Sequence, residues 1–167
     1  VVAGVTNSTD GDVSGIHNWT NDAWIVKLNS AGTIQWQKCL GGNDYENARS
    51  IQQTTDGGYI ITGDTKSNDG DASGNHGNMD AWVVKLNSSG TVQWQKCLGG
   101  SARDRAHSIQ QTSDGGYILS GETSSKDGDV SGYHDNNGNT DAWVVKLNST
   151  GDIQWQKCFG GTGSEVA

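Results

Sequence analysis

The amino-acid sequence predicts an all-β protein built from repeated four-stranded antiparallel sheets, and three observations carry this prediction. The 167 residues include 25 Gly and no Pro, and a Gly inside a helix costs roughly 1 kcal/mol relative to Ala. Long segments recur almost unchanged along the chain, which is the signature of a repeat architecture. In the segments SIQQT and TVQWQKCL, apolar and polar residues alternate with the two-residue period of a β-strand.

The repeats divide the chain into three units of about 58 residues, of which the first is incomplete. Two segments occur in every unit, and their first residues are Asp22, Asp80 and Asp141 for DAWIVKLN or DAWVVKLN, and Ile34, Val92 and Ile153 for IQWQKC or VQWQKC. A third segment, SIQQT followed by DGGY, begins only at Ser50 and Ser108. The sequence therefore predicts a partial unit with a linker over residues 1–48 and complete units over residues 49–106 and 107–167.

Each complete unit contains four strand-like runs that form two hairpins. The run SIQQT leads through DGG into YIITGDT or YILSGET, and Gly suits such a turn because it accepts a positive φ. A polar loop follows, and DAWVVKLN then pairs with the next run across a short connection that contains Gly. No segment shows the 3.6-residue period and the caps of a helix.

The apolar residues of DAWVVKLN indicate how the sheets pack. Trp82, Val84 and Leu86 share one face of this strand, and Ala81 and Val83 share the other. A strand with two apolar faces is covered on both sides, as expected for a sheet stacked between two similar sheets. Radially stacked four-stranded sheets are the blades of a β-propeller, and this is the predicted architecture.

The order of these features resembles a kelch-type propeller blade. Arg105, His107 and Ser108 stand where kelch repeats have an Arg and a His-Ser pair, and the third and fourth strands each carry a Trp. The sequence departs from the kelch pattern at the double Gly, which comes before the second strand instead of ending it. The longer pattern DGGYI…DAWVVKLN…IQWQK looks like repeats of secreted bacterial and archaeal surface proteins. The resemblance implies propeller blades, an extracellular or cell-surface location, and SIQQT as the innermost strand.

The net charge and the number of repeats constrain the partners of the chain. The 11 Lys and Arg against 19 Asp and Glu give a formal net charge of -8, which repels nucleic-acid phosphates and anionic membrane surfaces. No apolar run approaches the roughly 20 residues of a membrane span. The absence of a signal-peptide pattern suggests a mature, trimmed or cytoplasmic chain. Because a propeller has at least about four blades, we expect further blades of a larger parent chain, or other copies of this chain, as partners.

The loop DGDxSG, which occurs once in each unit, is a candidate Ca²⁺ site. Its oxygen-bearing residues at positions 1, 3 and 5 and its Gly at position 6 match the first half of an EF-hand loop. In the second unit Asp80 falls at position 12. The predicted ligands are Asp10, Asp12, Ser14, Asp69, Asp71, Ser73, Asp80, Asp127, Asp129 and Ser131. The alternative is a structural loop whose Asp and Ser side chains bind their own backbone amides.

Two further kinds of residue are candidates for covalent chemistry. Cys39, Cys97 and Cys158 occupy one equivalent position per unit, and such positions are too far apart for a disulfide, so we expect free, partly buried thiols. Four Asn-x-Ser/Thr sequons are candidate glycosylation sites, at Asn7, Asn18, Asn87 and Asn148.

The motifs favour a protein without catalytic activity. The sequence contains no GxSxG, HExxH or phosphate-loop motif and no paired catalytic carboxylates. We therefore predict a non-enzymatic extracellular repeat module that serves as a structural scaffold or as an envelope or fibre component. The alternative is an adhesion propeller that binds a glycan or a protein through its rim loops. The repeated Trp residues are expected to pack between blades, whereas Trp19 lies in a loop without a counterpart.

Overall fold

The computed structural model describes residues 1–134 and 138–167, and within these ranges all regular structure is β-strand. The strands are β1 (Val2–Thr6), β2 (Asp22–Leu28), β3 (Ile34–Leu40), β4 (Glu46–Gln53), β5 (Tyr59–Thr65), β6 (Asp80–Leu86), β7 (Val92–Leu98), β8 (Asp104–Gln111), β9 (Tyr117–Thr123), β10 (Asp141–Leu147) and β11 (Ile153–Phe159). The all-β prediction is confirmed. In the part of the chain that the structure covers, no helix is long and apolar enough to cross a membrane.

The strands form three antiparallel sheets in which each strand pairs with its neighbours in sequence. The first sheet contains β1 to β3, the middle sheet β4 to β7, and the last sheet β8 to β11. The middle and last sheets have four strands each, and the first sheet has three because it lacks the SIQQT strand. Strand β1 is consequently an open edge of the first sheet.

The first strand of each complete sheet begins earlier than the SIQQT pattern predicts. Strands β4 and β8 begin at Glu46 and Asp104, and a shift of register near Arg49 and His107 separates these early residues from SIQQ. The alternation of apolar and polar residues is interrupted at such a bulge, so the sequence pattern showed only the second part of each strand.

The sheets stack face to face, and the middle sheet is covered on both sides. Trp82, Val84 and Leu86 belong to a core shared with the first sheet, whereas Ala81 and Val83 belong to a core shared with the last sheet. The exposed fraction of each of these five residues is 1% or less. Full burial of one such large apolar side chain contributes roughly 1.5–3 kcal/mol. The contact between the first and middle sheets is called the first junction below, and that between the middle and last sheets the second junction.

The first and middle sheets each carry a second Trp that reaches into a junction. The Trp36 ring lies edge-on to Tyr59 with 5.7 Å between ring centroids, and Trp94 lies edge-on to Tyr117 at 5.8 Å. Trp155 is the equivalent residue of the last sheet and is 44% exposed. These contacts agree with the prediction that the repeated Trp residues pack between sheets.

Candidate functional site

Two of the three DGDxSG loops, those of the second and third units, bind across the two junctions. In the middle sheet, the backbone N–H of Asp71 donates to the carbonyl oxygen of Gly41 at 2.8 Å. The Oδ1 atom of Asp69 accepts a hydrogen bond from the backbone N–H of Asn43, also at 2.8 Å. Both bonds cross to the Gly-Gly-Asn segment that follows the first sheet, so this loop fastens one sheet to the preceding one.

The second junction repeats these contacts. The backbone N–H of Asp129 donates to Gly99 O at 2.8 Å, and the backbone N–H of Ser101 donates to Asp127 Oδ1 at 2.7 Å. The bond with Ser101 is the leading cause that lowers the pKa of Asp127. The loop can approach this closely because Gly128, at φ +63°, lies against the backbone of Gly99 without a side chain between them.

The Ser residue of each loop binds its own sheet. Ser73 Oγ accepts from Gln95 Nε2 at 2.7 Å, and Gln95 Oε1 in turn accepts from the indole Nε1–H of Trp82 at 3.0 Å. The same chain of bonds joins Ser14 to Gln37 and Trp24, and Ser131 to Gln156 and Trp143. The three Ser residues therefore fix the loops to Trp82 and Trp143, which are buried, and to Trp24, which is partly buried.

Asp80 lies apart from the other predicted ligands of its loop. Its side chain is fully buried, and Oδ2 accepts from the backbone N–H of His76 at 3.0 Å and lies 2.6 Å from His76 Nδ1. This hydrogen bond raises the pKa of His76, while burial raises the pKa of Asp80. Asp22 and Asp141 bind His17 and His134 in the same way. In each of these three Asp residues the Oδ1 atom is buried and has no partner among the described atoms.

The predicted Ca²⁺ ligands of the second loop are bound to several different partners. In the second loop, Asp69 and Asp71 face the preceding sheet, Ser73 faces Gln95, and Asp80 faces His76. In the first loop Asp10 and Asp12 are exposed. Within residues 1–134 and 138–167 no group of three or more His, Cys, Asp or Glu is arranged to hold a metal ion. Ca²⁺ binding stays a prediction of the sequence.

A buried carboxylate that binds both adjacent sheets, here called the carboxylate lock, lies at each of the two junctions and was missed by the sequence reasoning. Glu46 at the start of β4 is fully buried. Its Oε1 accepts from Thr65 Oγ1 at 2.6 Å and from the backbone N–H of Ser67 at 3.2 Å. Its Oε2 accepts from the backbone N–H of Gly42 at 2.9 Å, so the carboxylate joins the first and middle sheets.

Asp104 forms the same lock at the second junction. It accepts from Thr123 Oγ1, from Ser125 Oγ at 2.7 Å and from the backbone N–H of Gly100 at 2.8 Å. Burial raises the pKa of Asp104. The signal available in the sequence was an acidic residue four positions after the second Gly of the Gly-Gly pair that ends each QWQKCLGG or QWQKCFGG segment, at Glu46, Asp104 and Glu165.

Two buried lysines are a second feature that the sequence reasoning missed. Lys85 is only 4% exposed, and its Nζ donates to Asp56 Oδ2 at 2.9 Å and to Leu86 O at 3.1 Å. Hydrogen bonds from Thr54 and then from Lys85 lower the pKa of Asp56. Lys146 makes the same pair with Asp114. The ion pairs fasten the DGG turns to the neighbouring strand.

The cysteines lie on the outer strands and are free, as expected. Burial is the main cause that raises the pKa of Cys39 to about 11, of Cys97 to about 12 and of Cys158 to about 11. Since the thiolate is the nucleophilic form, the raised pKa values disfavour reaction of these thiols at neutral pH.

Each junction has a cleft beside its outer strand. The cleft at the first junction has a volume of about 520 Å³ and is lined by residues that include His17, Lys38, Cys39 and Asp71. The corresponding cleft at the second junction has a volume of about 260 Å³, and the ion pair between Lys96 and Asp152, at 3.0 Å, closes across it. Both clefts lie between the outer parts of adjacent sheets.

The candidate glycosylation sites fall into two groups. Asn7 and Asn18 are exposed. Asn87 and Asn148 lie in hairpin turns, where their Oδ1 atoms accept from backbone N–H groups of the turn, at 2.9 Å from Thr91 and 2.9 Å from Asp152. These two side chains therefore help to shape the turns in which they lie.

Neither a scan against protein-family models nor a search of the curated proteins returned a match to this chain.

Proposed function

We propose that the chain is a non-enzymatic structural module of an extracellular or cell-surface protein. The observation that carries this proposal is the repetition of one set of contacts at both junctions. At each junction a DGD loop binds a Gly-Gly segment, and a buried carboxylate binds a Thr and a Ser. At each junction a Trp ring also lies edge-on to a Tyr ring. Because the two junctions use the polar side chains of the repeat in the same way, these side chains serve the stacking of adjacent sheets.

The chemistry of the individual side chains supports a structural role. The Cys97 thiol has a pKa raised to about 12, His76 is bound to Asp80, and Lys85 is bound to Asp56. Groups of these types act as nucleophiles, bases or acids in enzymes when they are accessible to a substrate. In this chain His76 and Lys85 hold loops and strands in place, and Cys97 is buried.

The proposal includes blades of a kelch-like β-propeller. Adjacent sheets contact each other through their early strands, β4 with β1 and β8 with β4 and β5. In a propeller the early strands of all blades converge on the central axis, so this pattern of contacts supports a radial arrangement. Further blades, from a longer parent chain or from other copies, would complete the ring.

An array of glycans and proteins, probed with the purified chain, tests the structural role. A scaffold is expected to bind no single ligand class above background. Reproducible binding to one glycan or one protein would contradict the proposal and would favour the second candidate function.

Adhesion through a rim loop is this second candidate, and it rests on Trp19. Trp19 is 83% exposed, and the nearby Tyr45 is 46% exposed. Thr20 Oγ1 donates to Asp44 O at 2.8 Å, which holds the two aromatic residues on the same rim. Adhesion predicts that Trp19→Ala abolishes binding on the array, while Trp155→Ala, which removes a partly exposed Trp elsewhere, leaves binding unchanged.

A further inference from the structure

The carboxylate lock of each junction has two halves, and both halves occur once more in the chain without each other. One half is a Thr followed two residues later by a Ser, as at Thr65 and Ser67 or at Thr123 and Ser125. The other half is an acidic residue, which at Glu46 in β4 and Asp104 in β8 is buried at the start of the first strand of a sheet.

The Thr and Ser half that lacks an acidic partner is at the end of β1, in the first sheet. The backbone N–H of Ser8 donates to Thr6 Oγ1 at 3.1 Å. The equivalent bonds in the occupied locks are 3.0 Å from Ser67 to Thr65 and 3.0 Å from Ser125 to Thr123. Thr6 and Ser8 are thus already arranged as in the occupied locks, but β1 pairs only with β2 and has a free edge.

The unmatched acidic half is Glu165, after the last sheet. The backbone N–H of Gly161 donates to Glu165 Oε2 at 3.1 Å, as Gly42 does to Glu46. The backbone N–H of Glu165 donates to Thr140 O at 2.7 Å, as that of Glu46 does to Asn21 O at 2.8 Å. The segment Glu165–Ala167 therefore already runs along the last sheet as the start of β4 runs along the first sheet.

The outer faces of the first and last sheets are also complementary, since one has an open turn glycine and the other an exposed Trp ring. At the two junctions, the turn residues Gly90 and Gly151 lie against Trp36 and Trp94. The equivalent turn residue of the first sheet is Gly32, and no described atom lies within 4 Å of the position of a Cβ on it. Trp155 is the equivalent ring of the last sheet, and it is 44% exposed.

We propose that a second copy of this chain docks its first sheet onto the last sheet of the first copy and so forms a third junction. The segment Glu165–Ala167 of one copy pairs antiparallel with β1 of the other, and the Glu165 carboxylate accepts from Thr6 Oγ1 and the Ser8 N–H. This inference rests on the proposed stacking role, since it extends the same contacts between chains.

The register of this pairing follows from the middle sheet. There Glu46 lies opposite Thr65, Asn47 opposite Asp64, and Ala48 opposite Gly63. The equivalent pairs between two copies are Glu165 with Thr6, Val166 with Val5, and Ala167 with Gly4. Val5 and Val166 are 47% and 60% exposed, and the pairing covers both. Since the two surfaces are different, the contact is heterologous and generates a closed ring or an open chain.

Sedimentation velocity over a series of concentrations of the wild-type chain is the first test. The inference predicts association that increases with concentration. A chain that stays monomeric at every concentration overturns the inference, and it leaves the proposed structural role standing, because that role is judged by the arrays.

Variants of the lock then show which surface associates. Thr6→Val and Glu165→Ala are each expected to weaken association roughly tenfold or more, the effect of losing one hydrogen bond to a charged group. Glu165→Asp is expected to retain association because Asp104 performs this role at the second junction. Asp44→Asn, which removes an exposed negative charge elsewhere, is the control, and circular dichroism checks that each variant is folded. Undiminished association of Thr6→Val and Glu165→Ala overturns the inference.

Disulfide trapping tests the register. Val5→Cys and Val166→Cys chains are mixed and oxidised, with the wild-type chain as the control for its three native cysteines. Residues directly opposite in an antiparallel pair lie at a distance that a disulfide can span. A covalent dimer is expected in the mixture and in neither chain alone, and its failure to form in an associating mixture overturns the proposed register.

Discussion

The backbone of Gly100, after the middle sheet, lies directly against Asp127 of the last sheet. A Cβ on Gly100 would stand 2.5 Å from the carbonyl oxygen of Asp127 and 2.8 Å from Ser125 Cβ, and it would also overlap the Asp127 carboxylate. Gly161 is the equivalent residue after the last sheet, and no described atom lies within 4 Å of its Cβ position. Packing therefore requires glycine at position 100, whereas the equivalent Gly161 has open space for a side chain.

This difference predicts unequal effects of the same substitution. Gly100→Ala is expected to lower the free energy of unfolding by about 1–3 kcal/mol, the range for overpacking a close contact. Gly161→Ala is the matched control and is expected to change it by less than about 0.5 kcal/mol, as for an open surface site. Urea unfolding of both variants at a concentration where the chain is monomeric is the measurement. Equal losses would show that the Gly-Gly segment is not packed against the loop.

Replacement of a buried Trp tests the core between the first and middle sheets. Trp82 is 1% exposed, so Trp82→Ala is expected to lower the free energy of unfolding by about 3–5 kcal/mol. Trp155→Ala removes a ring that is 44% exposed and is expected to have a clearly smaller effect. Chemical denaturation followed by far-UV circular dichroism measures both. A loss below about 1 kcal/mol for Trp82→Ala would mean that the ring is not part of the core.

The ion pair of the buried Lys85 is expected to matter more than an exposed one. Asp56→Ala leaves the Lys85 ammonium, 4% exposed, without its carboxylate, and we expect a loss of about 1–3 kcal/mol because a buried charged donor loses its partner. Lys96→Ala breaks the exposed pair with Asp152, and we expect less than about 1 kcal/mol. Urea unfolding near neutral pH compares the two variants. A ranking in the opposite order would contradict the role given to Lys85.

The pKa values of two histidines are expected to be shifted in opposite directions from the ordinary value. The hydrogen bond to Asp80 raises the pKa of His76 above 6.5, whereas burial lowers the pKa of His107 below that value. His76 therefore stabilises the fold fully below pH 6.5 and loses this effect as the pH rises through its raised pKa. His107 has the reverse effect, present above pH 6.5 and lost as the pH falls through its lowered pKa.

NMR titration of the imidazole protons measures both pKa values directly. Asp80→Asn is expected to lower the pKa of His76 and to leave that of His107 unchanged, since only His76 is bonded to Asp80. A pKa of His76 below that of His107 in the wild-type chain would contradict the geometry of the His76–Asp80 pair.

Ca²⁺ binding by the DGDxSG loops can be tested by thermal melting. The sequence pattern predicts a higher melting temperature in millimolar Ca²⁺ than in EGTA, because a ligand that binds only the folded state stabilises it. An ion would have to compete with the bonds that Asp69 already makes to Asn43. Melting curves that overlap in the two conditions would exclude the loops as Ca²⁺ sites. Asp10→Asn removes one exposed carboxylate from the first loop. It serves as the comparison, because within the described part of the chain the Asp side chains of this loop are not engaged with a preceding sheet.

The sequence by itself determined the strands, their hairpins and the two faces of the central strands. These properties follow from the order of neighbouring residues: a period of two places Trp82 and Val84 on one face and Val83 on the other, and Gly-containing turns join adjacent strands. The incomplete first unit was also visible, since the SIQQT segment is missing before β1.

The tertiary structure alone decided what the polar residues of the repeat do. Asp69 binds Asn43, 26 residues earlier in the chain, and Glu46 binds Thr65, 19 residues later. A local pattern such as DGDxSG gives the spacing of oxygen atoms along one loop, and it therefore suggested an ion. The partners of these oxygens come from the preceding sheet or from another strand, and their positions are fixed only when two sheets stack. The contacts of the second and third loops with the preceding sheet were therefore not visible in the sequence, and Ca²⁺ binding by the loops stays a prediction.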